Sequence, residues 1–234
     1  MVIHSVFDVL AWLVAACAAF WIKPRLPDAA PLAPALRRDY WTALVVGAAL
    51  GAYGFGSLNL WISGQPGVAR SIEGAIAGAV LAVELYKRHA GVATRTGARF
   101  ALPLALGVAV GRIGCFLSGL ADFTHGVPTT SVFGYDFGDG VLRHPVQLYE
   151  SAAMALFAGA YLVGLAQRCD WAVVNGFYFA MLFYGAQRFV WEFLKPYGCV
   201  LGPFTIFHIL SLLLVVYGAT MLATAQKSAD ETSP

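Results

Sequence analysis

Seven apolar stretches, each close to the length needed to cross a lipid bilayer, constrain this chain more than any other feature. They lie at about residues 2–22, 40–62, 71–86, 100–117, 145–167, 171–194 and 204–224. A spanning helix needs roughly 20 predominantly apolar residues. Hydrocarbon offers no partners to backbone N–H and C=O groups, so such stretches must satisfy their hydrogen bonds internally as helices. Composition agrees: 59% of the 234 residues are hydrophobic and 12% are charged, against about a quarter charged in a soluble domain. The expected fold is therefore an all-α integral membrane protein with seven transmembrane helices. Residues 1–224 are read as a single seven-span membrane domain, and residues 225–234 as a polar cytoplasmic tail without structure. A net charge of +2 gives no case for a nucleic-acid partner.

The first stretch needs separating from a secretory leader. It ends in Val14-Ala15-Ala16-Cys17, which looks like a lipoprotein cleavage box, but no Lys or Arg precedes Lys23. A leader needs a positive segment before its apolar core, so this stretch reads as the first membrane helix. Of the four cysteines, Cys17, Cys115, Cys169 and Cys199, no two form a CxxC pair. A structural zinc site is not expected, and four free thiols are expected over a Cys115–Cys199 disulfide.

Loop charge orients the spans. With the N-terminus outside, the inner loops hold Lys23, Arg25, Arg37, Arg38, Lys87, Arg88, Arg95, Arg99, Arg168 and Lys227, and the outer loops hold only Arg70, Arg143 and Lys195. That asymmetry predicts N-terminus out and C-terminus in the cytoplasm. An even number of spans would destroy it. The longest outer loop, residues 118–144, carries Asp122, His125, Asp136, Asp139 and several glycines. A loop of this length is commonly functional, and its Val132-Phe133-Gly134-Tyr135 stretch suits a membrane interface.

Charges within spans are costly and need a partner or water. Arg112 lies near the outer end of the fourth span, Glu150 at the outer end of the fifth, and Arg188 and Glu192 four residues apart in the sixth. A self-contained i,i+4 pair would explain Arg188 and Glu192, and snorkelling to headgroups would explain Arg112. Glu84, beside Tyr86, Lys87 and Arg88, reads as an interfacial ion pair, and His4, His89 and His208 read as structural. Two arginines near one membrane surface also suit phosphate, which a guanidinium grips with paired hydrogen bonds. The phosphates at that depth belong to phospholipid headgroups. The residues thus point to an outer-leaflet site for an anionic phospholipid, with Glu150 and Glu192 orienting the arginines or moving protons.

At these residues the chain resembles the prolipoprotein diacylglyceryl transferase family. The family's His-Pro-x-Gln-Leu-Tyr-Glu is intact as His144-Pro145-Val146-Gln147-Leu148-Tyr149-Glu150, and its Arg-Phe-x-x-Glu-Phe as Arg188-Phe189-Val190-Trp191-Glu192-Phe193. Its Gly-Arg-x-Gly-Asn-Phe-x-Asn-Gly-Glu corresponds to Gly111-Arg112-Ile113-Gly114-Cys115-Phe116-Leu117-Ser118-Gly119-Leu120. Order and spacing agree from about residue 70 onward. The resemblance implies a multi-pass enzyme of the bacterial inner membrane. It would move a diacylglyceryl group from phosphatidylglycerol to a cysteine thiol of a lipoprotein precursor, without metal or cofactor. It also implies phosphate contacts at Arg112 and Arg188, and a substrate site including Cys115, Ser118, His144, Gln147, Tyr149, Glu150 and Glu192.

The chain departs from the family pattern at defined positions. The family carries His-Gly-Gly in the third span; the matching stretch is Ser71-Ile72-Glu73-Gly74-Ala75, so Glu73 stands where the histidine would be. A buried carboxylate can serve as a base, which makes Glu73 a catalytic candidate with Arg112 and Arg188, but it cannot donate as an imidazolium does. Cys115 and Ser118 replace two asparagines and Leu120 a glutamate, with Asp122 a further carboxylate two residues on. The arginine that the family often has in the second span is not found around residues 51–59. The pattern suits a transferase of the same lipid donor, whether with the same or another acceptor. A phospholipid-binding protein without catalysis and a small-solute transporter are the other readings.

Overall fold

The computed structural model describes residues 2–26 and 34–231. Its elements are α1 (Val2–Ile22), α2 (Pro34–Ile62), α3 (Ile72–His89), α4 (Ala101–Leu117), β1 (Tyr135–Asp136), β2 (Leu142–Arg143), α5 (Val146–Ala166), α6 (Asp170–Val173), α7 (Gly176–Glu192), β3 (Cys199–Leu201), β4 (Phe204–Thr205) and α8 (Ile206–Glu231). Each apolar stretch holds one long helix. The protein is an all-α membrane protein, and among the described residues five helices are long and apolar enough to cross a bilayer, in the segments Ile3–Arg25, Leu36–Ile62, Ala98–Leu117, Val146–Ala166 and Ile206–Ala225. Of the remaining long helices, α3 and α7 have 18 and 17 residues, and α4, itself 17 residues, reaches spanning length only with the turn before it. α3 carries Glu73, Glu84, Lys87 and Arg88, and α7 carries Arg188 and Glu192.

Three boundaries differ from the sequence reading. α2 begins at Pro34, six residues early, because proline's fixed φ suits a first helical position. The sixth stretch is split, with α6 ending before Asn175 leaves helical geometry (φ −112°, ψ 6°) and α7 starting afresh at Gly176. α8 continues to Glu231, so the described part of the tail is helical where an unstructured segment was expected.

The helices leave large apolar side chains uncovered, among them Trp12, Phe20, Leu50, Trp61, Leu81 and Leu156. In water such faces would drive association; in a bilayer they match the solvent. All four cysteines are free, as expected, and Lys87 reaches Glu84 at 3.2 Å, the ion pair anticipated at that position.

The chain forms two compact units. One comprises α1, α4, α5, α6, α7 and α8 from Leu212 onward; the other comprises α2, α3, the β3–β4 hairpin and the start of α8. In the first unit α1 lies directly against α4. A Cβ at Gly114 would run into the side chain of Phe7, so only glycine permits this approach. α5 is tied to α4 by Ser151, whose Oγ donates to the Ala109 carbonyl at 2.7 Å in a buried setting. Val108, Val146, Met154, Ala158, Tyr161, Met181 and Tyr184 fill the interior.

In the second unit, α2 and α3 cross on four glycines. A Cβ at Gly51 would strike the Gly74 carbonyl and one at Gly74 the Gly51 carbonyl, and Gly47 and Gly78 are related in the same way. Both helices therefore present a glycine pair at i,i+4, which lets two backbones touch where apolar burial supplies no drive. Ser71 caps α3, its Oγ accepting from Gly74 N at 3.1 Å.

The long loop between α4 and α5 is ordered by its own backbone. β1 and β2 pair antiparallel, Tyr135 opposite Arg143. Asp136 Oδ1 accepts from the N–H groups of Gly138, Asp139 and Gly140. Gly126 N donates to His144 O at 2.9 Å and Val127 N to Leu194 O at 2.7 Å, which fixes the loop over the ends of α5 and α7. Val132 and Phe133 remain strongly exposed at its tip.

Candidate functional site

Four of the charges singled out in the sequence converge in the first unit. Glu150 sits near the start of α5, next to the Ser151 tie to α4, and faces Arg112 near the end of α4. Arg112 Nε lies 2.5 Å from Glu150 Oε2, and Arg188 Nη1 lies 2.7 Å from Glu150 Oε1. Arg188 Nη1 also reaches Glu192 Oε2 at 3.0 Å, one turn along α7. Arg188 and Glu192 therefore belong to a larger cluster rather than to a self-contained pair. Arg112 is buried and paired, so it does not snorkel to the headgroups.

A fifth member was missed. Lys195, three residues beyond Glu192, is buried and places Nζ 2.7 Å from Glu150 Oε1. The sequence reading counted it as an outer-loop charge. The turn after α7 (Lys195 N donates to Glu192 O at 3.1 Å) folds it inward. All five residues are buried, Arg112 being the most exposed at 7%. Burial pushes Lys195 down to about 8, with the Arg188 charge adding to the effect and Glu150 opposing it. At neutral pH the lysine is mainly charged. The cluster then holds three cations against two carboxylates, a net charge of +1 in a low-dielectric site.

The rest of the seven-residue motif surrounds this cluster. Gln147 is buried, and its Nε2 donates to Thr124 Oγ1 at 3.3 Å, linking α5 to the long loop. His144 Nδ1 is 3.3 Å from the Tyr149 hydroxyl. The Tyr149 ring packs on Trp191 of α7, centroids 5.3 Å apart. Ser118 is turned back on its own helix, donating to the Gly114 carbonyl at 2.8 Å.

Cys115 Sγ is 4.0 Å from Arg112 Nη1 and 3.8 Å from His4 Nε2. His4, read as structural from the sequence, stands between two carboxylates, Asp8 Oδ2 at 3.1 Å from Nδ1 and Asp122 Oδ1 at 3.1 Å from Nε2. Asp122 thus meets a histidine on α1. Asp8 is one helical turn away, but nothing in the local sequence around His4 signals Asp122 or Cys115, which lie more than a hundred residues away.

Glu73 lies in the second unit, in the first turn of α3, fully buried. Ser211 Oγ of α8 donates to its Oε1 at 2.5 Å. A carboxylate in the first turn is favoured by the helix dipole.

The prolipoprotein diacylglyceryl transferase family profile matches residues 41–224. Among curated relatives, a phosphatidylglycerol–prolipoprotein diacylglyceryl transferase of Oleidesulfovibrio alaskensis is 32% identical over 185 residues, covering 75% of this chain and 65% of the relative. The enzymes of that name from Geobacter sulfurreducens and Bacillus cereus are 32% and 31% identical, covering 64% and 70% of this chain and 59% and 62% of their own lengths. The chain thus spans somewhat under two thirds of the length of these relatives. No solved structure matches. The profile covers most of the chain, including α4, α5 and α7 with the cluster on them, and the chain belongs to the prolipoprotein diacylglyceryl transferase family.

Proposed function

We propose that this protein is a membrane transferase that moves a diacylglyceryl group from phosphatidylglycerol to the cysteine thiol of a lipoprotein precursor. The single observation that carries the reading is the buried cluster of Arg112, Arg188 and Lys195 around Glu150 and Glu192, with one positive charge in excess. A phosphatidylglycerol phosphodiester brings one negative charge. The names of the relatives supply the donor and acceptor classes.

In this reaction the thiol sulfur forms a bond to the glyceryl carbon that carries the phosphate. The carbon–oxygen bond breaks, and glycerol phosphate leaves with the electron pair. The negative charge on that leaving group grows in the transition state. Fixed guanidinium groups in a dry site stabilise it without reorganising. Arg112 and Arg188 are assigned that role, with Glu150 and Glu192 holding their forks in place. The thiol must lose its proton to become a nucleophile, and Glu73 is the proposed base. Gln147, His144, Tyr149, Cys115 and Ser118 are assigned to the lipid and acceptor surroundings.

The reading includes a topology of seven spans in the bacterial inner membrane, N-terminus out and C-terminus in the cytoplasm, supported by the Lys and Arg asymmetry between alternate loops. The cluster then serves the outer leaflet. The direct test is expression in a bacterium depleted of its own prolipoprotein transferase. Restored lipidation of precursor lipoproteins is expected. Failure at normal expression and membrane insertion overturns the lipoprotein reading, and bound phosphatidylglycerol without product would instead favour a lipid-binding protein.

A further inference from the structure

The packing of α1 on α4 gathers a second set of side chains beside the buried charge cluster, with Cys115 Sγ 4.0 Å from Arg112 Nη1. His4 Nε2, Cys115 Sγ and Asp122 Oδ1 lie mutually within 4.8 Å. We propose that His4, Cys115 and Asp122 form a binding site for a borderline-soft divalent ion of the zinc class.

Three features support it. The first is spacing. In a tetrahedral zinc site with bonds of about 2.0 to 2.1 Å to nitrogen and oxygen and about 2.3 Å to sulfur, neighbouring N and O ligands stand about 3.3 Å apart and S and N about 3.6 Å. Here His4 Nε2 is 3.1 Å from Asp122 Oδ1 and 3.8 Å from Cys115 Sγ. Both distances lie within a few tenths of an ångström of those values, and the three ligand atoms stay within 4.8 Å of one another.

The second is the outer layer. Asp8 Oδ2 is 3.1 Å from His4 Nδ1, which leaves Nε2 for the ion, and Thr124 Oγ1 donates to Asp122 Oδ2 at 2.7 Å, which leaves Oδ1. A carboxylate on the second nitrogen of a ligating histidine is the common way such a ring is oriented and made more basic. The third is donor chemistry. Sulfur, imidazole nitrogen and a carboxylate select zinc-like ions over calcium or magnesium, which take oxygen ligands. A thiolate and a carboxylate together neutralise the ion's two charges. The His4 and Asp122 side chains are 26% and 16% exposed. Three protein ligands leave a fourth tetrahedral position for water or an incoming ligand, the arrangement of reactive rather than structural zinc.

The ligands come from opposite ends of the sequence. The glycine at 114, which lets Phe7 and the α1 backbone approach α4, brings His4 to Cys115.

The test uses the full chain purified in detergent and does not depend on transferase activity. Elemental analysis after purification with zinc present, followed by gel filtration, is expected to give one equivalent of zinc. Cobalt added to metal-stripped protein is expected to give a near-ultraviolet thiolate-to-metal charge-transfer band together with visible bands of tetrahedral intensity. Cys115→Ser should abolish the charge-transfer band. Asp122→Asn should weaken cobalt binding at least about tenfold, since the loss even of an outer-layer partner costs about 10- to 100-fold. Absence of retained zinc in the unmodified protein overturns the proposal, and that measurement stands even where a variant fails to fold. A charge-transfer band that survives Cys115→Ser also overturns it. In either case the group is a histidine between two carboxylates beside a free thiol.

Discussion

Glu150 is met by three cations, Arg112 and Arg188 from two other helices and Lys195 from the turn after α7. Removing its charge leaves three buried positive groups with one fewer counter-charge, a situation that costs about 3 to 5 kcal/mol when a buried pair is broken. Glu150→Gln should therefore lower thermal stability in detergent by about that amount as well as abolish transfer. Unchanged melting would show that water reaches the cluster. The arginines differ from one another in their partners but share the need for a planar fork. Arg112→Lys or Arg188→Lys keeps the charge and loses the paired geometry. A lost hydrogen bond to a charged group is worth about 1.5 to 3 kcal/mol, so kcat/KM for phosphatidylglycerol should fall roughly tenfold to a hundredfold or slightly more in steady-state assays. Lys195 gives the pH dependence. Its pKa falls from 10.5 to about 8 on folding. Below about 8 the lysine is charged and the cluster carries its excess positive charge, which is lost as the pH rises through that value. Anion binding and turnover should decline on the alkaline side, and Lys195→Arg should move that decline out of the accessible range. Between about 8 and 10.5 the unfolded lysine still holds its proton, so this titration alone raises folding stability there. A fall in activity over that interval is then not a loss of fold.

Among the elements, the α2–α3 pair depends on backbone contact more than on side-chain interlocking. Gly47, Gly51, Gly74 and Gly78 each face a carbonyl of the other helix with no room for a Cβ. Overpacking of a tight interface costs about 1 to 3 kcal/mol, occasionally more. Gly51→Val should cost at least that, measured as reduced melting temperature or reduced yield of folded protein. An exposed glycine with open space around it, Gly54 on the same helix, offers the control, since Gly54→Ala meets nothing and adds helix propensity. The α4–α5–α7 group is held differently, by the Ser151 hydrogen bond to Ala109, the ion pairs of Glu150 and the aromatic contact of Tyr149 with Trp191. That explains why the intact seven-residue motif sits at the start of α5. Gln147 meets the long loop, Tyr149 meets α7, Glu150 meets both α4 and α7, and the next residue, Ser151, meets α4.

At the scale of the whole molecule, the membrane orientation governs which leaflet the cluster can serve. A single cysteine placed at Val132 or Phe133, both exposed at the tip of the long loop, in a background lacking the four native cysteines, should react with a membrane-impermeant thiol reagent added outside intact cells. A cysteine at Arg95, in the basic loop between α3 and α4, should react only after the membrane is opened. The reverse pattern would place the cluster at the inner leaflet and remove the proposed access to secreted precursors.

The sequence alone determined the helical membrane architecture, because the length of an apolar stretch is fixed by bilayer thickness and by the lack of hydrogen-bond partners in hydrocarbon. It also singled out four of the five charges that the structure brings together, Lys195 being the fifth. Arg112, Glu150, Arg188 and Glu192 stand out because burying charge is costly, so their presence in apolar segments needs a reason. Tertiary structure decided what the charges do with one another. The convergence on Glu150, the inward fold of Lys195 and the meeting of His4 with Cys115 and Asp122 depend on how helices distant in sequence pack, through close contacts such as that of Phe7 at Gly114. Hydropathy registers each segment's preference for lipid over water. It carries no information on which segment lies beside which, because all the apolar faces are equivalent to the lipid around them.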